Sequence, residues 1–360
     1  MNDFNNSTNE KQYSLVKLLG VCVVSLLAVP ILDNVAFSQK NTSKPSNQVK
    51  LLIPAQFDYA SPFSEGLARV KIGEKWGYID KQGKLVIPAQ FDGYDVDAPV
   101  PLFNLSAMDK QPLRMRYPGN FSQGLAPVKV GEKWGYINKQ GKFVIPPKFT
   151  CADDFSEGLA AVGEPLARGV KGMYINPQGK TIFSHRFGCT GNKFSQGLAV
   201  IGEETIINKS GTVVRTLRNN FRSSAPLSVF SENLLPVGNA QGFGFINSQG
   251  QVIIPPQFRV VYPFSEGLAL AENKPGSSGG SFGFIDKTGK FVIPPNLLVP
   301  SAFSQGLAPF CSGENACGYI DKSGKVAIST QFADVSAFSE NLAPVKVGNK
   351  WGYIGLPGKK

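Results

Sequence analysis

One histidine, His185, occurs in 360 residues, and no two cysteines stand in a C-x-x-C pair. Zinc sites are built from clustered Cys and His ligands, so neither a structural nor a catalytic zinc centre is expected. No G-x-S-x-G turn is present to expose a serine nucleophile. A Ser–His–Asp triad would have to rest on His185 in the segment TIFSHRF. Neither a Walker sequence nor a dinucleotide-binding glycine fingerprint occurs. After residue 40 no long window carries apolar residues at helical spacing, which argues against a helical domain. The expected catalytic, cofactor-binding and metal sites are therefore none. Carboxylate pairs alone escape these exclusions, because glycoside hydrolysis needs only two acids in a cleft. Asp153–Asp154 and Asp95/Asp97 are the nearest candidates, and solvated loop acids are the ordinary reading of both.

Long apolar runs are missing too, with one exception. Lys11 and Lys17 precede LLGVCVVSLLAVPIL (Leu18 to Leu32), and Ala36 and Ser38 offer small residues before Gln39. This layout predicts a secretory signal peptide over residues 1–38. The run is shorter than the roughly 20 residues of a spanning helix, and an uncleaved N-terminal anchor is the alternative. Cys22 follows Val21, not a small residue, so no lipid attachment is read there. Residues 39–49 form a polar, flexible leader. The net charge is +11. The first 38 residues hold two lysines and three acids, so their loss raises it to +12. An exported chain has little occasion to meet nucleic acid, so no nucleic-acid partner is expected. A membrane is expected only through an uncleaved N-terminal segment.

Glycine and proline are plentiful, at 39 and 26 residues, which points to turns and short strands. The phrase FS[EQ][GN]L begins at Phe63, Phe121, Phe155, Phe194, Phe230, Phe264, Phe303 and Phe338, mostly 34 to 39 residues apart. Eight copies turn residues 50–360 into one array, interrupted by an insertion at about 93–120 and a smaller one at 271–281. The fourth anchor position is Gly or Asn, which tolerate positive φ. The third is Glu or Gln, an exchange that fits an oxygen accepting backbone hydrogen bonds and not a catalytic acid. After GYI comes Asp or Asn, then Gly three residues on, the pattern of a hairpin turn with a left-handed bulge residue. Each copy reads as a three-stranded β-meander that must stack on its neighbours to bury both faces.

KWGYIDKQGKLVIPAQFD resembles the WG-repeat, or KWG-repeat, family of bacterial proteins. The motif is sharpest at Trp76–Gly77, Trp134–Gly135 and Trp351–Gly352, while Phe243, Phe282 and Cys317 replace Trp elsewhere. The resemblance implies an all-β tandem array and little about chemistry. Replacement by Phe and Cys favours a core Trp with a Gly that leaves room for backbone, over an aromatic platform for a ligand.

Cys151 and Cys189 fall at equivalent places in consecutive repeats, and Cys311 and Cys317 flank one hairpin; both pairs are candidate disulfides. A Cys151–Cys189 bridge would favour stacked neighbours. The fold expected is an open β-solenoid-like stack, with a closed β-propeller as alternative, since LLIP near the start and WGYI near the end could share a sheet. Lysines cluster at turns (Lys71, Lys75, Lys81, Lys84, Lys129, Lys133, Lys139, Lys142) and could line an edge attracting anionic polymers such as lipid headgroups or acidic glycans. Arg114 and Arg116 mark the long insertion as the candidate partner loop. The function expected is a non-enzymatic, exported, periplasmic or extracellular scaffold binding a protein or an anionic envelope polymer. An envelope hydrolase with an acid pair in a groove, or a structural spacer, is the alternative.

Overall fold

The computed structural model describes residues 49–93, 117–186, 188–189, 191–217, 221–223, 229–273, 281–297 and 300–359. The signal peptide, most of the leader, Asp95, Asp97, Arg114 and Arg116 lie outside the described residues. Among the described residues every regular element is a β-strand, and no helix is long and apolar enough to cross a membrane.

The first repeat shows the plan. Strands Ala68–Ile72, Lys75–Ile79 and Leu85–Phe91 form an antiparallel meander. A two-residue strand, Tyr59–Ala60, pairs on the free side of Ala68–Ile72. The unit is thus larger than the three strands expected. Five of the eight sheets have four strands and three have three. In repeats two and four, single bridges at Asp92–Lys129 and Gly191–Ile201 hold the fourth place.

Pro88 lies inside the third strand, which runs on to Phe91. Trp76 pairs with Phe91 and Tyr78 with Ile87, so Gly77 alone opposes the three residues Pro88, Ala89 and Gln90. The missing proline amide falls inside this bulge, where no ladder bond is required. The bulge explains the motif glycine. A Cβ on Gly77 would lie 2.6 Å from the Ile87 carbonyl oxygen and 2.8 Å from the Ala89 nitrogen. Gly135, Gly244, Gly283, Gly318 and Gly352 meet the same backbone in their repeats. Repeats three and four pair in regular register at this point, and there Met173 and Thr205 replace the glycine. The glycine is present where the partner strand bulges over it and absent where it does not. Gly77→Ala should therefore cost about 1–3 kcal/mol by overpacking against backbone. Gly66→Ala, at φ +84° with open space around it, should cost about 1 kcal/mol. Urea unfolding of the two variants checks this; an equal or reversed order would refute the packing argument.

The cores lie between sheets. One cluster joins Trp76, Tyr78, Ile87 and Phe91 of repeat one to Phe121, Ala126, Val128 and Ile137 of repeat two. Each GYI tyrosine reaches the next repeat: Tyr78 Oη donates to the Gly119 carbonyl (2.8 Å), Tyr136 to Asp153 and Tyr174 to Asn192. Burial pushes the Tyr78 and Tyr136 hydroxyls well above their usual pKa, which keeps them protonated donors.

The array returns on itself. Strand Leu51–Phe57 pairs not with repeat one but with Lys350–Gly355 of repeat eight, where it supplies the third strand. Tyr353 Oη donates to the Ser61 carbonyl (2.7 Å), and Ser339 Oγ to that of Phe63 (2.7 Å). Ile53, Phe57, Phe63, Leu342, Trp351 and Tyr353 share one buried cluster. One strand of the last sheet is thus taken from the chain start, the shared sheet that the propeller alternative expects and the open β-solenoid-like stack does not.

Both candidate cysteine pairs are at bonding distance. Cys151 and Cys189 have Cα atoms 6.1 Å apart, and Cys311 and Cys317 4.0 Å apart. Only one residue separates Phe149 from Cys151, where the chain passes from one sheet to the next, and the first bridge ties this point to Cys189.

Candidate functional site

Each anchor phrase is a two-residue hairpin turn. Ser64 and Leu67 exchange both backbone hydrogen bonds, with Glu65 at φ +52° and Gly66 at φ +84°. Two successive left-handed residues define a type I′ turn. The sequence reading assigned positive φ to the fourth position alone; the third has it as well. A Glu or Gln there bears backbone strain of order 1 kcal/mol, and its side chain shows what offsets it.

Glu65 Oε1 and Oε2 accept the Gln123 and Gly124 amides of the next repeat at 2.5 and 3.0 Å. Gln123 accepts from Gly158, Glu157 from Gly197, Gln196 from Asn233 and Glu232 from Gly267. Glu266 accepts from Gly306, Gln305 from Asn341 and, closing the circuit, Glu340 from Gly66. Each anchor thus clamps the next, and the eighth clamps the first.

The choice of Glu or Gln follows charge. Lys139 of repeat two meets Glu65 (3.2 Å), Lys209 meets Glu157 (4.0 Å) and Lys287 meets Glu232 (3.1 Å). Lys322 meets Glu266 (3.1 Å), and Lys81 meets Glu340 (2.9 Å). Gln123, Gln196 and Gln305 face repeats in which that lysine position is Pro177, Ser248 and Leu356. Every acid has its lysine and every link without a lysine has an amide. Where Asn replaces the anchor glycine, at Asn233 and Asn341, it accepts from the preceding Gln amide. For Glu65, burial works to raise the pKa, but the Gly124 and Gln123 amides and Lys139 outweigh it and hold the carboxyl below its usual 4.5. Glu232 and Glu340 are lowered by the same balance. This stabilisation is complete above the unfolded value and is lost as pH falls through the lowered folded values. These side chains are a quarter to a half exposed, so each pair should contribute only about 0.5 kcal/mol. A double-mutant cycle of Glu65→Gln with Lys139→Ser, which recreates the Gln196–Ser248 link, should show that coupling; additive losses would refute it.

The lysine-bearing turns stand at the same end of the sheets as the anchors, since the two are bonded to each other. On the three-residue step from Lys81 to Lys84 the chain enters the third strand, and a second pattern appears. In six sheets that strand is preceded by an exposed lysine: Lys50, Lys84, Lys142, Lys180, Lys290 and Lys325. None of these six ammonium groups lies in an ion pair among the described residues. Apolar, exposed residues follow, with Leu52 at 59%, Leu85 at 40%, Phe143 at 42%, Val292 at 48% and Val326 at 57% accessibility. At this end the anchor acids are held by anchor lysines, while the six lysines before the third strands make no salt bridge among the described residues; Asp286 and Asp321 of the same turns feel only the field of Lys290 and Lys325.

The other sequence candidates are structural by position. Trp76, Trp134 and Trp351 are buried, so none offers a ring face to a ligand. Arg69, unique to repeat one at a position otherwise apolar, stacks under Tyr59, Trp76 and Tyr117 with its guanidinium 4.5 Å from the Tyr117 ring. Asp153 and Asp154 both lie against Lys193, at 3.8 and 2.7 Å. His185 sits beside Tyr174, and burial lowers its pKa. The long insertion's arginines, Arg114 and Arg116, lie outside the described residues. The apolar–lysine pattern was missed in sequence because each copy reads as an ordinary strand start; only the shared end of eight sheets makes it a surface.

A family model of the WG-containing repeat matches residues 48–76, 76–95, 119–134, 134–163, 243–274, 282–315 and 318–351. More than half the chain is covered, and the protein belongs to the WG-containing repeat family. The unmatched stretch holds repeat four, whose motif reads EETII. No curated protein matches the chain in sequence. Among solved structures it is similar to BamB from Moraxella catarrhalis, at 9% identity and TM-score 0.52, over 85% of this chain and 99% of that one. It is also similar to the C-terminal WD40 domain of Sif2, at 10% identity and TM-score 0.51, over 86% and 99%. At such identity the likeness concerns fold alone, and WD40 repeats build β-propellers.

Proposed function

We propose that the protein is an exported, non-enzymatic scaffold, a closed eight-bladed β-propeller whose basic turn face binds an anionic polymer or protein of the cell envelope. The observation that carries this reading is the separation of roles among its charges. Anchor acids, anchor lysines and motif tyrosines are used up in joining repeats, while Lys50, Lys84, Lys142, Lys180, Lys290 and Lys325 remain exposed at one end without a salt bridge among the described residues. Two disulfides are consistent with an oxidising compartment, as is the signal-peptide layout. An uncleaved anchor is the alternative location.

Of the hydrolase alternative's two acid pairs, Asp153–Asp154 is engaged by the Lys193 ammonium at 3.8 and 2.7 Å, and Asp95/Asp97 lies outside the described residues. The test is retention on an immobilised polyuronate at about 50 mM salt, with release by about 200 mM as screening shortens the reach of the lysines. Changing Lys84, Lys142, Lys290 and Lys325 to Gln should abolish retention. Retention unaffected by these changes would remove the turn face as the site. Appearance of new reducing ends in the polymer would replace the scaffold with the hydrolase.

A further inference from the structure

Sixteen large apolar residues are conspicuously exposed among the described residues, and twelve of them occupy one position in the repeat. They are the first two residues of the third strands: Leu52, Leu85–Val86, Phe143–Val144, Ile182, Val213–Val214, Val252–Ile253, Val292 and Val326. Isolated exposed apolar residues need no explanation, but one or two at the same place on every sheet do. Six of these eight strands directly follow an exposed lysine that makes no salt bridge among the described residues. The opposite end differs. Its turns expose Ile72, Val130, Leu166 and Val347, and its lysines Lys75 and Lys350 are held by Asp92 and Asp58.

We propose that the turn face docks on an anionic lipid bilayer, the lysines meeting headgroup phosphates and the apolar pairs entering the headgroup–acyl boundary. This rests on the reading of that face as the binding surface and names its partner, beyond any contact made by the N-terminal segment. The combination of cations with exposed apolar side chains is what an interfacial surface requires. A soluble polyanion would use the lysines and leave twelve apolar side chains in water. A folded protein partner would be expected to meet one central patch of aromatic anchors, not eight equivalent small ones. Headgroups are alike and laterally mobile, so they can satisfy all eight positions at once.

The sheets of residues 48–360 pair wholly among themselves and form a compact unit. Residues 39–360 are therefore offered vesicles of phosphatidylcholine with and without about one third phosphatidylglycerol, and sedimentation is read. Binding is expected only to the anionic vesicles, and weaker in high salt. At roughly fivefold per lysine, Lys84→Gln with Lys142→Gln should lower partitioning about 25-fold. Val86→Ser with Val144→Ser should lower it at unchanged charge, whereas Val130→Ser with Lys133→Gln at the opposite end should not. Unchanged thermal unfolding of these surface variants shows that they remain folded. Absence of sedimentation with anionic vesicles overturns the proposal. So does binding that survives the valine changes, which would assign the lysines to a soluble acidic polymer and leave the scaffold reading standing. If neither vesicles nor polyuronate respond to the lysine changes, both readings fall together.

Discussion

Removal of strand Leu51–Phe57 is expected to destabilise both ends of the array at once. Ile53 and Phe57 are 1% and 4% exposed, and they pack against Trp351 and Tyr353 of repeat eight and Phe63, Val70 and Ile79 of repeat one. Ile53→Ala and Phe57→Ala should each cost about 2–5 kcal/mol, against total stabilities of about 5–15 kcal/mol for a domain. Leu52→Ala, at 59% exposure between them, should stay within about 0.5 kcal/mol. The distinctive outcome is spatial. An open repeat array frays from its damaged end while distant repeats keep their contacts. Here the loss should reduce amide protection in repeat eight and also in repeat one, around Phe63 and Gly66, because Ser339 and Glu340 bind there. Hydrogen exchange on the Ile53→Ala variant reads this directly. Protection lost in repeat eight alone would mean that the ends are neighbours without being joined.

Much of the architecture was legible in the sequence because each turn carries its own chemistry. Asp80 accepts the Gln82 and Lys84 amides, and Gly83 sits at φ +80°, as the Asp-x-x-Gly spacing requires. The Glu/Gln exchange pointed to an acceptor of backbone amides, and the anchors are built that way. What escaped was the relation between repeats. Glu65 looks the same whether its lysine comes from its own repeat or from the next; only registering anchors against the following turns shows that Gln123, Gln196 and Gln305 precede Pro177, Ser248 and Leu356. The pairing of the chain start with the last repeat stood only as the alternative reading, because Leu51–Phe57 has the same spacing as every other third strand and only the terminal places of LLIP and WGYI suggested that they share a sheet. The lysine–apolar face was hidden because burial is a property of the assembled sheets. Leu85 and Ile87 are equally apolar in sequence, yet one is 40% and the other 1% exposed.

The Cys151–Cys189 bridge is expected to contribute more than the Cys311–Cys317 bridge, although both are built from short, well-placed strands. The first closes a loop with a sequence separation of 38 and the second one of 6. Loop-closure entropy of the unfolded chain then gives about 4 kcal/mol for the first and about 2 kcal/mol for the second. Position strengthens the contrast. The first bridge joins repeat three to the handover into repeat four, the two repeats that lack the motif glycine and its bulge. The second spans strands already paired, with Cys311 opposite Cys317 in register, so its loss leaves the hairpin's ladder in place. Paired serine variants, Cys151→Ser with Cys189→Ser and Cys311→Ser with Cys317→Ser, should separate by about 2 kcal/mol in urea unfolding. Non-reducing peptide mapping of the protein should recover both bridges. A larger loss from the Cys311–Cys317 pair would mean that local strand geometry, not the span of chain closed, sets what each bridge contributes. Free thiols at Cys151 and Cys189 would remove the principal covalent support of the two repeats where the WG motif itself has decayed.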